Sequence, residues 1–337
     1  MLYVCDFFVR HKEAVSNQIE LLAQETKGSV VAAARFMEQK PLRSAELKSG
    51  IFVFPALLYS FCLPLVVFWA KKPVHYFEEE SSVWKRALFN ASRRPLYVSM
   101  YRRPTAEYAA HLKQYKYLRR VFVELDEHRE ILLEHGLLDH QVAVSPTPAK
   151  LKRIRSTKAY NSKDLTVVFA SWNNDAKNAL HDRGVLYLLD MLAANPHLKL
   201  EIPLRDRKVD EFWREAKRRS VQDRVLLLTI NSTDELVAMF ERADFVAFMA
   251  QKRVTKDVPN SLLDVLIRGK PVLISEAIDF HKTVTKHKIG YVVPVGASAL
   301  LFQPSAEEYR VLSNRSYAYA KRHTSEKYLQ ILEHYED

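Results

Sequence analysis

A chain of 337 residues with 48% hydrophobic and 27% charged residues is long enough for two domains and too ordinary in composition to be disordered or fibrous. The formal net charge of +11 favours an anionic partner, whether nucleic acid, acidic lipid or phosphorylated substrate. A solvated basic surface explains the same number.

In chain order, LYVCDFFV reads as a strand and AVSNQIELLAQET has the apolar spacing of a helix. Asp6, Arg10, His11, Lys12 and Glu13 interrupt the start before any long apolar region, so no signal peptide is expected. GSVVAAARF is a second strand. Residues 51–70, IFVFPALLYSFCLPLVVFWA, run without a charge and are followed by Lys71 and Lys72. That length suffices to cross a bilayer. The competing reading is a buried strand over Ile51–Phe54, a break at Pro55, and an apolar helix ending near Ala70. Pro55 and Pro64 favour it, as does the strand-like PVHYFEE that follows at once. With basic residues nearby, such a helix suits a surface that docks on an anionic membrane without spanning it. The two cysteines, Cys5 and Cys62, both lie in apolar runs and give neither a disulfide framework nor a zinc spacing, which fits a reducing cytoplasm, at or away from the membrane inner face.

PLYVSMY and RRVFVEL are further strands, and DEHREILLEHG is a short amphipathic helix with Asp126 placed to cap its start and Gly136 after its end. QVAVSP closes the first half. PTPAKLKRIRSTKAYNSKD, with two prolines and scattered cations, reads as a linker. The second half repeats the alternation. Its strands are LTVVFAS, LKLEIPL, DRVLLLTI, DFVAFMA, KPVLIS and IGYVVPV. Its helices are GVLYLLDMLAAN, VDEFWREAKRRS, TDELVAMFERA and SLLDVLIRG, and the last thirty residues are helical. Strands alternating with helices predict parallel sheets covered on both faces. Two such halves predict two Rossmann-like domains facing a cleft, over 1–150 and 164–304. A linker over 151–163 joins them, and a helical segment over 305–337 packs back across that linker toward the first domain.

The most informative stretch is 244–275. A strand ends near Ala250, and a loop with Lys252, Arg253 and Lys256 leads to Pro259. Asn260 or Ser261 can then cap a helix through Leu262 and Asp264 whose free N–H groups face that loop. A helix start backed by lysine suits an anion, and Asp264 is placed to accept hydrogen bonds from sugar hydroxyls. A well-capped helix with no ligand is the plainer alternative. In the first half, HYFEEES (His75–Ser81) ends a strand. Glu78 or Glu79 there suits orienting an acceptor hydroxyl or acting as a base, and an exposed charged loop is the alternative. Arg93, Arg94, Arg102 and Arg103, with Tyr97 and Tyr101 between them, suit an anionic acceptor. They also suit a nucleic-acid backbone or a solvated basic face. P-loop, dinucleotide, zinc-protease and nucleophile-elbow motifs are absent, and His181, Asp182 and His281 have no metal-ligand spacing.

The run PNSLLDVLIRGKPVL resembles the donor-binding signature of retaining glycosyltransferase family 4, a GT-B family. In that family an acidic residue opens the signature and a second lies eight positions on. The second corresponds to Asp264, which would hold the ribose. The first falls on Lys256, a reversal of charge that is electrostatically suited to a diphosphate. VVFASWNN followed by DRGVLYLLDML is similar to the first strand and helix of the family's donor domain. Arg183 before Gly184 matches its diphosphate contact. Ser171 and Trp172 stand where its other arginine lies, and Arg205 is placed to substitute. Ile230, Asn231 and Ser232 would lie near the base. The resemblance covers 164–325, extends to 118–148, and is weak over 1–117, where the family's glycine-rich loop is missing. It implies transfer of a sugar from a nucleotide-diphosphate sugar, with retention. Because cationic side chains can neutralise the leaving diphosphate, neither metal nor other cofactor is expected. The residues of the first half, not the resemblance, point to an anionic or lipid-linked glycan acceptor contacted by His75, Arg102 and Arg103, with catalytic roles for Glu78 and Glu79, beside Lys256 of the second half. A nucleotide-sugar epimerase, a non-catalytic nucleotide-sugar binder and a nucleic-acid binder are the other readings.

Overall fold

The computed structural model describes residues 1–6, 14–34, 50–78, 82–145, 158–170, 180–204, 209–230, 232–252, 258–259, 261–297 and 301–333. The chain divides into two compact units, Met1–Thr147 and Pro148–Asp337.

The first unit is a seven-stranded, all-parallel sheet of order β3-β2-β1-β4-β5-β6-β7. Its strands are β1 (Leu2–Cys5), β2 (Ser29–Ala34), β3 (Ile51–Pro55), β4 (Val74–Glu78), β5 (Leu96–Met100), β6 (Leu118–Val123) and β7 (Val142–Val144). Its helices are α1 (Ala14–Glu25), α2 (Ala56–Ala70), α3 (Val83–Ser92), α4 (Ala106–Leu112) and α5 (Asp126–Glu134). The apolar run 51–70 resolves into a strand and a helix. At about 1.5 Å per residue, the 15 residues of α2 span only about 22 Å, short of a hydrocarbon core of about 30 Å. Among the described residues no helix is long and apolar enough to cross a membrane. One detail of this segment differs from expectation: strand β3 is the sheet edge, so Phe52 is half exposed. The helix runs to Ala70 as expected, with Pro64 inside it. Helices α3 and α4 are short, ten and seven residues, and are not among the elements expected from the sequence. At α5, Leu125 is the N-cap and Asp126 is the first helical residue, where its charge meets the helix dipole instead of capping by a side-chain bond.

The second unit is a six-stranded parallel sheet of order β10-β9-β8-β11-β12-β13. Its strands are β8 (Leu165–Phe169), β9 (Leu198–Leu204), β10 (Val225–Thr229), β11 (Phe245–Phe248), β12 (Val272–Ser275) and β13 (Gly290–Val293). Helices α6 (Val185–Ala194), α7 (Asp210–Arg218), α8 (Thr233–Arg242), α9 (Leu262–Leu266), α10 (His281–His287), α11 (Ala306–Ala320) and α12 (Ser325–Glu333) cover it. Val185, Leu188, Leu189, Met191 and Leu192 of α6 are buried against Val167, Phe169, Leu200 and Ile202 of the sheet. At about 1.5–3 kcal/mol per large apolar side chain, such burial is the main stabilising term of this half. Helix α11 packs on α9 within this unit. The Tyr160 ring stacks on Tyr309 of α11 at 4.3 Å, so the described end of the linker segment is held by the second unit's own helix.

Candidate functional site

In each sheet the first strand of the half lies between neighbours reached in opposite directions, β1 between β2 and β4, and β8 between β9 and β11. Such switch points open a crevice at the carboxyl ends of the strands, where ligands of open α/β sheets bind.

At the second sheet, the loops leaving β8 and β11 are tied together across this point. The Gln251 N–H donates to the Asp182 carbonyl at 2.8 Å, and the Lys252 ammonium meets the Asp182 carboxylate at 2.8 Å. Gln251 Nε2 donates to the Met249 carbonyl at 3.0 Å. The start of α6 therefore leans on the end of β11. Gly184, the N-cap of α6, has φ +77°, and a Cβ there would overlap the Met249 carbonyl oxygen. Only glycine meets both the left-handed backbone and the close approach. Arg183 beside it is partly buried. Desolvation pulls its guanidinium below the ordinary arginine value and Asp182 opposes the fall. An arginine keeps its charge regardless, so this is a cation held in a poorly solvated place.

The α9 start reaches the same point from the other side. Ser261 occupies the N-cap position, but its side chain does not cap. Its hydroxyl donates to the Ala170 carbonyl at 3.4 Å, anchoring α9 to the end of β8. The expected capping role of Ser261 is thus replaced by a tether. Pro259 is half-buried, Leu262 is buried in the core, and Asp264 is 7% exposed in the first turn of α9. Ile230 is half-buried just past β10, two strands from β8, and Ser232 caps α8 by accepting from Glu235 N–H at 3.2 Å. Ser171, Trp172, Arg205, Asn231, Lys256 and Asn260 lie outside the described residues. So does Glu79, and of Glu78 the backbone alone is described, at the end of β4.

At the first sheet, sequence reasoning overlooked a buried polar network. Tyr76 OH donates to Asp6 Oδ2 at 2.7 Å, the Lys85 ammonium pairs with the other oxygen of Asp6, and Lys85 also donates to Tyr76 OH at 2.9 Å. Tyr59 from α2 joins it: burial first, then the Asp6 carboxylate, push its phenol far above the ordinary range. Asp6 follows β1, Lys85 lies in the first turn of α3, and Tyr59 lies in the first turn of α2. The network thus fixes two helix starts at the first switch point. A lone Asp after a strand, and a Lys on a helix whose partner lies 79 positions away, give no local sequence signal.

His75 does not serve as an acceptor contact in this structure, because it is fully buried. Its ring lies in an aromatic layer with Phe77, Phe122 and Tyr3, and Nε2 shares a 2.8 Å hydrogen bond with Ser99 Oγ. Strand alternation sends residues 75 and 77 to one face of the sheet and Tyr76 to the other. Burial lowers the His75 pKa from 6.5 to about 3, so the ring is neutral in the folded state. The unfolded chain then binds one more proton between those values. Stability is fully present above pH 6.5 and falls as pH drops toward 3. In urea titrations across that window, His75→Phe should flatten the loss, and an unchanged slope would show that His75 does not carry it.

The expected arginine cluster divides. Arg93 and Arg94 precede β5 at its amino end, whereas Arg102 and Arg103 follow its carboxyl end, and five strand residues separate the pairs by about 17 Å. Tyr97 and Tyr101 are buried between them. Arg103 pairs with Glu127 at 2.9 Å, and Arg102 is exposed. Among the described residues, no group of three or more His, Cys, Asp or Glu side chains is placed to hold a metal ion.

No family model and no curated protein matches the chain. Solved structures do. The HepE protein of Anabaena in complex with UDP aligns with a TM-score of 0.72 over 99% of this chain and 99% of its own, at 15% identity. Sucrose-phosphate synthase from Thermosynechococcus elongatus aligns at 0.66 over 100% and 98%, with 14% identity. WaaG, a glycosyltransferase involved in lipopolysaccharide biosynthesis, aligns at 0.59 over 97% and 95%, with 12% identity. At such identities the likeness is one of fold, and with the two parallel sheets it shows that the chain has the α/β GT-B fold.

Proposed function

We propose that this protein is a glycosyltransferase that binds a nucleotide-diphosphate sugar at the carboxyl edge of its second sheet. The observation that carries this reading is the tied β8–β11 switch point, with Arg183 and Gly184 on one side and Ser261 to Asp264 on the other. The HepE structures contain UDP and UDP-glucose, which supports a uridine donor here.

In this reading Arg183 and Lys256, with Arg205, neutralise the diphosphate as the sugar–phosphate bond breaks. Stabilising charge that develops in the transition state is the largest single catalytic effect such a site supplies. Ile230 and Asn231 serve the base, Ser171 and Trp172 take the place of the family's second phosphate-binding arginine, Pro259 and Asn260 belong to the donor loop, and Asp264 receives the ribose hydroxyls. The cations do the work a metal ion would do, so the reaction needs none. Retention follows from the family resemblance. The acceptor is an anionic or lipid-linked glycan met by the carboxyl edge of the first sheet, where Arg102 and Arg103 follow β5 and where β4 ends at Glu78; Glu79 shares the catalytic role proposed for Glu78. The protein works in the cytoplasm, at the membrane inner face when its acceptor is lipid-linked.

Calorimetric titration tests the donor site. UDP should bind in preference to ADP, and saturating UDP at about 100 times its Kd should stabilise the fold by about 2.7 kcal/mol. Arg183→Ala, Lys256→Ala and Asp264→Ala should each weaken UDP binding about tenfold or more, the worth of one charge-assisted hydrogen bond. Unchanged affinity in all three would remove the assignment.

A further inference from the structure

Helix α2 has two apolar faces, and the sheet covers one. Tyr59, Leu63 and Val67 are buried in the core of the first unit. On the other side Phe61, Leu65 and Trp69 are 75%, 71% and 87% exposed, with Leu58 and Phe68 about half exposed. The spacing 58, 61, 65, 68 and 69 keeps these five on one face of the helix. Isolated exposed apolar residues are ordinary, but a contiguous row of large ones ending in a tryptophan marks a surface meant to be covered.

The charge beside this row identifies what covers it. Helix α2 ends at Lys71 in a left-handed conformation, followed by exposed Lys72. Because the sheet is parallel, the amino ends of its strands share one edge. Lys27 lies before β2, Lys71 and Lys72 before β4, Arg93 before β5, Lys116 before β6, and Arg119 is the second residue of β6. All six are exposed, and Arg93, Lys116 and Arg119 line a shallow pocket of about 340 Å³. Glu25, Glu134 and Asp139 lie on the same edge, fewer than the cations. Cations at helix ends also complement the helix dipole, but that effect needs no neighbouring row of exposed Phe, Leu and Trp.

We propose that the outer face of α2, with the basic amino edge of the first sheet, docks on an anionic phospholipid bilayer. Trp69 would sit at the headgroup level, Phe61 and Leu65 would enter the acyl boundary, and Lys71 and Lys72 would meet lipid phosphates. Trp69, Lys71 and Lys72 lie at the amino end of the sheet, whereas α2 begins at the carboxyl end of β3, and its exposed row faces away from the side that Tyr59, Leu63 and Val67 bury. This surface rests on no part of the donor reading.

Vesicle co-sedimentation of the full chain tests it, using phosphatidylcholine alone and phosphatidylcholine with phosphatidylglycerol. The wild type should bind the anionic vesicles about tenfold or more tightly than the neutral ones, and added salt should weaken that binding. F61S/L65S/W69S should lose at least about tenfold in binding, and K71E/K72E should lose the anionic preference. Circular dichroism confirms folding, and if the triple variant does not fold, the charge-reversed pair and its salt dependence still decide. Absence of wild-type binding, or variants that bind equally well, would overturn the proposal. So would a wild-type dimer that the triple variant dissolves while vesicles bind neither protein, because a second copy would then cover the face. UDP affinity without vesicles should be the same in wild type and variants. Vesicle binding by a chain that ignores UDP would leave this surface standing and remove the donor reading.

Discussion

Gly184→Ala should destabilise the protein by about 2–5 kcal/mol and weaken nucleotide binding with it. Two independent penalties add. A non-glycine residue in the left-handed region costs about 1–2 kcal/mol, and at φ +77° residue 184 lies there. Forcing a methyl into a close-packed site costs about 1–3 kcal/mol more, and here the obstacle is the Met249 backbone carbonyl, which has no rotamer by which to move aside. Relief requires α6 to shift away from β11. That movement would stretch the Gln251–Asp182 and Lys252–Asp182 bonds and carry Arg183 with it. Urea denaturation reads the first effect and UDP titration the second. A variant with wild-type stability and affinity would show that the two loops are less firmly joined than the geometry indicates. Gly184→Asn separates the penalties, because asparagine tolerates the left-handed backbone but still carries the Cβ.

Lys85→Met should cost about 2–4 kcal/mol. Removing one member of a buried ion pair costs about 3–5 kcal/mol because the other charge stays behind. The Asp6 side chain retains 23% exposure, so solvent screens part of that penalty. Asp6→Asn should cost a similar amount, by leaving the buried ammonium with only the Tyr76 hydroxyl among these bonds. The double variant should cost less than the sum, since no uncompensated charge remains, and a cycle of the four proteins measures the coupling. Additive losses would mean that each residue acts by packing alone. The network also sets where α2 and α3 begin, so hydrogen exchange in the first turns of both helices should rise in Lys85→Met.

The alternation of strand and helix was legible in the chain because each element carries its own period. The apolar runs IFVF, LTVVFAS and DFVAFMA belong to strands buried or half-buried in parallel sheets, and AVSNQIELLAQET carries the helical spacing of α1. The three short helices α3, α4 and α10 were not legible. Helix α10 holds a single apolar residue, α4 spans only seven residues, and the apolar residues of α3 sit in a ten-residue stretch between two strands; such short helices form mainly by packing on a sheet that other segments build. Arg183–Gly184 and PNSLLD were visible as a pattern, and their neighbourhood was not. That Gly184 rests on Met249, that Ser261 bonds Ala170 and does not cap, and that Lys252 pairs with Asp182 are contacts across roughly 65 to 90 positions of chain, which no local rule reaches.

The sequence by itself determined the two-half α/β architecture, the apolar segment at 51–70 and the basic character of the chain, because composition and periodicity are properties of short windows. Only the tertiary structure decided which side of each element meets the core. It buried His75 in an aromatic layer, separated Arg93 and Arg94 from Arg102 and Arg103, and joined Asp6 to Lys85. It also covered one face of α2 and left Phe61, Leu65 and Trp69 outside. The physical reason is that burial is a relation between segments: an apolar helix reads the same whether one of its faces is packed or both are, until the sheet it lies on is in place.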